Sequence, residues 1–185
     1  EFDPALAQLS EFIDQDDENL QIGAIFGLAI AYAGSNRKDV VKLIKPLLLN
    51  ENSNPRLVAY ASLAIGLIYV GQLRQGSITA IAEKIINYPE SELKDQYIPL
   101  LSLGLGLIFL GQQEKCNGCV ELLSSTDNKL TQFARTTVRA CAYAGTGNVL
   151  EIQKMLRICT GEDSLQQAAA VIGISVIALG DNIGS

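Results

Sequence analysis

Leu101-Ser-Leu-Gly-Leu-Gly-Leu-Ile-Phe-Leu-Gly111 carries no charge, sets Gly104 and Gly106 two residues apart, and places Phe109 two positions before its closing glycine. In isolation such a run reads as a strand or a membrane segment. The same template recurs, however, and Gly34, Gly71, Gly111, Gly145 and Gly180 end similar runs at separations of 37, 40, 34 and 35 residues. Periods of that size belong to helical repeat arrays.

Aligning the runs on their last glycine exposes what each position needs. Five residues back stand Ala29, Gly66, Gly106, Ala140 and Ser175, all small. Seven back are Gly27, Ala64, Gly104, Val138 and Gly173, and two back are Tyr32, Tyr69, Phe109, Tyr143 and Ala178. An interior glycine costs a helix roughly 0.5–1 kcal/mol relative to alanine. Repeated glycines in apolar helices therefore predict close helix packing, and the terminal glycines predict left-handed helix stops. The expected inner helices are Gln21 to Ala33, Arg56 to Val70, Glu92 to Leu110, Leu130 to Ala144 and Ser164 to Leu179. Pro99 predicts a kink or restart near Ile98 in the third.

Between them run amphipathic segments. In Arg37 to Leu49, Val40, Leu43, Ile44 and Leu47 make an apolar face, while Lys38, Asp39, Lys42 and Lys45 lie mostly off it. Pro46 predicts a kinked last turn or an early stop. In Ser77 to Tyr88, Ile78, Ile81, Ala82, Ile85 and Ile86 face inward, with Ala80, Glu83, Lys84 and Asn87 outward. Gln112 to Ser124, interrupted by Asn117 and Gly118, and Asn148 to about Cys159, opened by a capping-box-like Asn-Val-Leu-Glu, complete the outer set. Asp3-Pro4 opens a first outer-type helix, in which Leu6, Leu9, Phe12 and Ile13 make an apolar stripe. The expected fold is all-α: an α-solenoid of helix-turn-helix repeats, residues 1–185 holding about four to five of them, truncated at both ends, with Gly180 to Ser185 frayed.

Composition narrows the function. With 48% hydrophobic residues, a formal charge of -6 and no basic run, the chain does not suit nucleic acid. The apolar stretch from Tyr97 to Gly111 is bounded by charged or polar residues on both sides and falls short of the about 20 residues a membrane span needs. Having no histidine excludes histidine-based triads, Cys-His pairs and histidine metal sites. Cys116 and Cys119 have CxxC spacing, but Cys141 and Cys159 supply no second close pair, so small, partly buried side chains are expected rather than a zinc or redox site. The carboxylates cluster in predicted turns, at Asp14, Asp16 to Glu18, and Glu162-Asp163, and inner helices are nearly free of them. No enzyme, no metal and no cofactor is expected, in a chain of the cytoplasm and nucleus.

Specific words in the sequence go further. Phe26-Gly-Leu-Ala-Ile-Ala-Tyr-Ala-Gly-Ser-Asn-Arg37, Asp3-Pro-Ala-Leu-Ala7, Glu92-Leu-Lys-Asp95 with Leu103-Gly-Leu-Gly-Leu107, and Cys141-Ala-Tyr-Ala-Gly-Thr-Gly-Asn-Val-Leu150 together resemble the proteasome/cyclosome repeat family. The form they resemble is that of the regulatory-particle base subunits that receive ubiquitin. The resemblance implies an arc of a larger toroid, small-residue helices inside, acting as a non-catalytic receptor and scaffold. Its implied partners are ubiquitin, the ubiquitin-like domains of shuttle factors, and other regulatory-particle subunits, docked on outer helices. A purely structural arc touching other proteasome subunits or a deubiquitinating enzyme is the alternative. The family's acidic docking positions are similar to Ser77, Glu83 and Asn87, of which only Glu83 keeps the acid, and Asp39 stands at another position acidic in the family. A receptor for a small apolar patch ringed by basic residues needs exposed apolar groups near carboxylates. Ala80, Glu83 and Asp39 offer that combination, with Lys84 beside them diluting the field.

Overall fold

The computed structural model describes residues 3–89 and 96–179. Ten α-helices and no strand occur among them: α1 Pro4–Ser10, α2 Glu18–Ala31, α3 Lys38–Leu49, α4 Pro55–Ile68, α5 Gln75–Ile86, α6 Ile98–Ile108, α7 Asn117–Leu123, α8 Lys129–Ala142, α9 Val149–Cys159 and α10 Ser164–Ile177. Gly180, the Glu92-Leu-Lys-Asp95 words that open the third inner run, and the tail to Ser185 lie outside the described residues.

Helices α2, α4, α6, α8 and α10 stack in order as an inner layer, each packed on the next, while α3, α5, α7 and α9 form the outer layer. This is an α-solenoid, and its core lies between the layers. Ile25, Leu28, Ile44, Leu48, Ile65, Ile81, Ile85, Leu101 and Leu105 are fully enclosed there. Each such side chain contributes about 1.5–3 kcal/mol when taken out of water.

The small residues bring inner backbones together as their positions predict. A Cβ built on Gly66 would lie 2.3 Å from the Gly104 carbonyl oxygen, and one on Gly104 would lie 2.3 Å from the Ser62 carbonyl oxygen. Ser62 Oγ uses this approach to donate to the Leu101 carbonyl at 2.9 Å. Gly106 likewise faces Cys141 and Thr137 of α8, and Gly173 faces Ala140. Ser175, at the equivalent position of α10, is exposed, with no described helix packed beyond α10.

The terminal glycines work differently from the expectation. The ring residues Tyr32, Tyr69, Phe109 and Tyr143 are the C-caps, so each glycine falls two residues beyond its cap rather than immediately after the helix. Gly34, Gly71, Gly111 and Gly145 do adopt φ of 69, 66, 71 and 70°. Their amides do not close on their own helix; they donate to Leu67, Leu107, Cys141 and Val176 at 2.9, 2.9, 3.1 and 2.9 Å. Each acceptor lies four residues before the next terminal glycine, in the last turn of the next inner helix, where the regular ladder runs out, and each also accepts the amide three residues on, at Val70, Leu110, Ala144 and Leu179. These bonds, joined in two repeats by the Asn36 and Gly147 amides donating to Ile68 and Ile177 at 3.1 and 2.8 Å, fix the register between neighbours.

Other boundaries follow local chemistry. Asp3 accepts the Leu6 amide at 3.2 Å and Pro4 occupies the first turn. Pro99 lies in the first turn of α6, which begins at Ile98. Pro46, by contrast, neither stops nor shortens α3, which runs through it to Leu49. The buried face of α3 is Val40, Val41, Ile44 and Leu48, turned so that Leu43 is exposed. The segment after Gly111 is a 3-10 turn, Gln113–Cys116, followed by α7, an outer helix of only 7 residues. Asn148 caps α9 by accepting the Glu151 amide at 3.1 Å, but the Glu151 side chain does not return to close the box. It turns inward to Arg139 and Lys154 instead, and the complete box forms at Asn128 and Thr131.

Candidate docking groove

The outer helices α3 and α5 lie side by side, and the C-terminal ends of both border a groove of about 440 Å³. Asn54 caps α4 through the Arg56 amide at 2.9 Å, and Glu51 and Ser53 of the α3–α4 loop line this groove. Ala80 and Val58 form its floor, Leu49 one wall, and Glu51 and Glu83 its flanks. Lys84 and Asn87 complete the α5 side. Glu83 and Asn87 are exposed, and Lys84 is half-buried.

Four of the six expected docking residues therefore converge, though not as expected. Ala80 is not an outward group: it is 8% exposed, because α5 turns this residue between the outer helices. The exposed apolar side chain of the groove is Leu49, 51% exposed, beyond the point where Pro46 is expected to kink or stop α3. Ser77 is buried too, and belongs to a separate depression at the other end of the same two helices, lined by Lys38, Lys42, Lys45 and Arg74. Lys45 Nζ donates there to the Gly76 carbonyl at 3.1 Å.

Asp39 lies at the α3 N-terminus, away from the groove. Its carboxylate accepts from Arg37 Nε at 2.8 Å and from Arg37 Nη2 at 2.6 Å, hydrogen bonds that hold its pKa down at about 2. Arg37 also reaches Asp3 at 3.0 Å and lies over the Tyr32 ring at 4.9 Å. Tyr32 Oη donates to the same Asp3 carboxylate. Asp39 is thus tied into the α1–α2–α3 corner, and the second carboxylate of the groove is Glu51, a loop residue with no helical period to mark it.

The cysteines have an apolar setting. Burial pushes the Cys119 thiol up to about 12 and that of Cys141 to about 11, so both stay protonated at neutral pH. Among the described residues no group of three or more Cys, Asp or Glu side chains is placed to hold a metal ion, and no helix is long and apolar enough to cross a membrane.

Known proteins resemble the chain throughout. It is 38% identical over 186 residues, 100% of its length, to 26S proteasome non-ATPase regulatory subunit 2 of Dictyostelium discoideum, covering 21% of that protein. It is 36% identical over 163 residues to 26S proteasome regulatory subunit rpn1 of Schizosaccharomyces pombe, 84% of the chain and 18% of that protein. Homolog A of non-ATPase regulatory subunit 2 in Arabidopsis thaliana is 38% identical over 145 residues, 76% of the chain and 16% of that protein. No protein-family model matches the chain. The chain spans about a fifth of the length of these relatives. Sharing their sequence across a continuous stack of helical hairpins, the chain belongs to the family of 26S proteasome non-ATPase regulatory subunits.

Proposed function

We propose that the chain is a non-catalytic receptor and scaffold segment of the proteasome regulatory particle, and that the α3–α5 groove docks ubiquitin chains and the ubiquitin-like domains of shuttle factors. The observation that carries this reading is the pairing of an exposed Leu49 with Glu51 and Glu83 around an apolar floor. A guest with a small apolar patch and a basic rim finds there an apolar contact and two carboxylates that orient it. Such a role places the chain in the cytoplasm and nucleus, beside other regulatory-particle subunits.

Titrating 15N-labelled ubiquitin with the chain tests the proposal. We expect chemical-shift changes centred on the apolar patch of ubiquitin, and about twofold to fivefold weaker binding for Glu51→Lys or Glu83→Lys, the range typical of rim charges. Leu49→Asp should remove binding. Unchanged spectra at millimolar concentration would end the docking claim and leave the scaffold.

A second reading has its own support. Lys38, Lys42, Lys45 and Arg74 share the α3–α5 face and repel a basic-rimmed guest. This favours contact with an acidic surface of another proteasome subunit, in a purely structural arc. Ubiquitin binding that is indifferent to Glu83→Lys would favour it.

A further inference from the structure

Repeat four breaks the rule that the other repeats keep. Six and ten residues before the terminal glycine stand Leu28 and Ala24, Ile65 and Ala61, Leu105 and Leu101, and Ile174 and Ala170. All are buried except Ile174, which is half-buried. In α8 the same two positions are Arg139 and Arg135. The outer layer supplies the counter-charge: Glu151, six residues after the preceding terminal glycine, where the other repeats carry Val40, Ser77 and Asn117, is buried.

The short α7 makes room for this. A cleft of about 630 Å³ opens between α7 and α9 over the outer face of α8, with Met155 in its wall. Arg135 and Arg139, 27% and 24% exposed, line it, joined by Lys154 and Arg157 of α9. Glu151 is 3% exposed and serves two of these cations, Arg139 at 3.2 Å and Lys154 at 2.5 Å. Arg135 pairs at 3.0 Å with Asp127, whose side chain is 73% exposed, and such a pair exchanges readily for another carboxylate. Arg157 makes no ion pair among the described residues. Glu162 and Asp163 stand at the rim, Asp163 held by Lys129 at 3.1 Å and by the Leu165 and Gln166 amides.

Packing alone does not require this arrangement. An apolar pair at these positions fills the other repeats, and replacing a buried ion pair by apolar groups is often neutral or stabilising. Local departures from an otherwise consistent design mark functional positions. Guanidinium groups in a partly dry cleft recognise carboxylates through paired, charge-assisted hydrogen bonds. We infer that the cleft over α8 is a binding site for an acidic peptide segment of a partner protein, whose carboxylates engage Arg135, Arg139 and Arg157. This site is independent of the α3–α5 groove.

The probe is the peptide acetyl-Asp-Glu-Leu-Asp-Glu-amide, titrated into the 15N-labelled chain while the arginine Nε–Hε signals are followed. We expect saturable shifts at Arg135, Arg139 and Arg157, and about fivefold or greater weakening with the exposed-residue variant Arg157→Ala. The triple variant Arg135→Ala, Arg139→Leu, Glu151→Val gives α8 the apolar residues of the other inner helices and α9 the valine of α3, and should stay folded while losing the Arg157 shift. Should the triple variant unfold, Arg157→Ala and the peptide controls decide alone. The proposal is overturned by spectra that do not change, by equal binding of the Asn/Gln counterpart peptide, by inorganic phosphate binding as tightly as the peptide, or by an Arg157→Ala chain that binds as the parent does.

Discussion

A methyl group added at Gly66 meets the backbone of Gly104, whereas one added at Gly23 meets nothing within 4 Å. Both glycines lie inside helices, so alanine gains about 0.5–1 kcal/mol of propensity at either. Only the surroundings separate them. Thermal denaturation should therefore show Gly23→Ala more stable than the parent and Gly66→Ala less stable by about 1–3 kcal/mol, since a backbone neighbour cannot swing away. Asp39 supplies a second residue-scale outcome. The Arg37 hydrogen bonds lower its folded pKa from an ordinary 3.8 to about 2, so between those values the unfolded chain binds more protons. The stability it contributes is complete above pH 3.8 and disappears as pH falls through about 2. Asp39→Asn should flatten that part of the stability–pH curve and leave neutral-pH ubiquitin titrations unchanged, because Asp39 lies outside the groove.

Among the elements, α3 is the one most at odds with its residues. Pro46 removes an amide from the ladder of an exposed helix, yet α3 continues because Ile44 and Leu48 on either side of it are fully buried. Burial of those two side chains outweighs a propensity penalty of about 3 kcal/mol. Pro46→Ala should return part of that penalty as a raised melting temperature, without moving the helix end seen in amide chemical shifts. The α9 helix shows a different conflict: Asn148 caps it as its pattern predicts, while Glu151 abandons the box for Arg139. A cap needs only neighbouring residues, but the partner of Glu151 is set by how α8 packs against α9.

At the scale of the whole molecule, the inter-repeat amide bonds make stability a property of neighbours. Each terminal glycine amide is protected only while the following inner helix is in place. Of the inner helices α10 buries the fewest described residues, Gln166, Ala170, Gly173 and Ile177, and it leaves Leu165, Val171 and Ile172 exposed. It should be the first inner helix to open. Hydrogen exchange is expected to be at least about tenfold faster at Gly145, whose acceptor is in α10, than at Gly71, whose acceptor is in the well-packed α6. Equal protection would mean that the stack opens as one unit.

The period, the two layers and most helix starts are legible in the residues alone, since these depend on forces within a few residues of each other. Asp3, Asn148 and Pro99 act on their own helix, and the apolar period of α5 names its inward isoleucines whatever surrounds them. Three-dimensional packing, and nothing local, selects which segments tens of residues apart share an atom-to-atom contact. It sent the glycine amides to the next helix, buried Ala80 and Ser77, put Leu49 and Glu51 beside Glu83, and opened the cleft that admits Arg135 and Arg139. Those outcomes rest on the rotation and length of whole helices, and a turn of one residue, as in α3, exchanges a core side chain for a surface one.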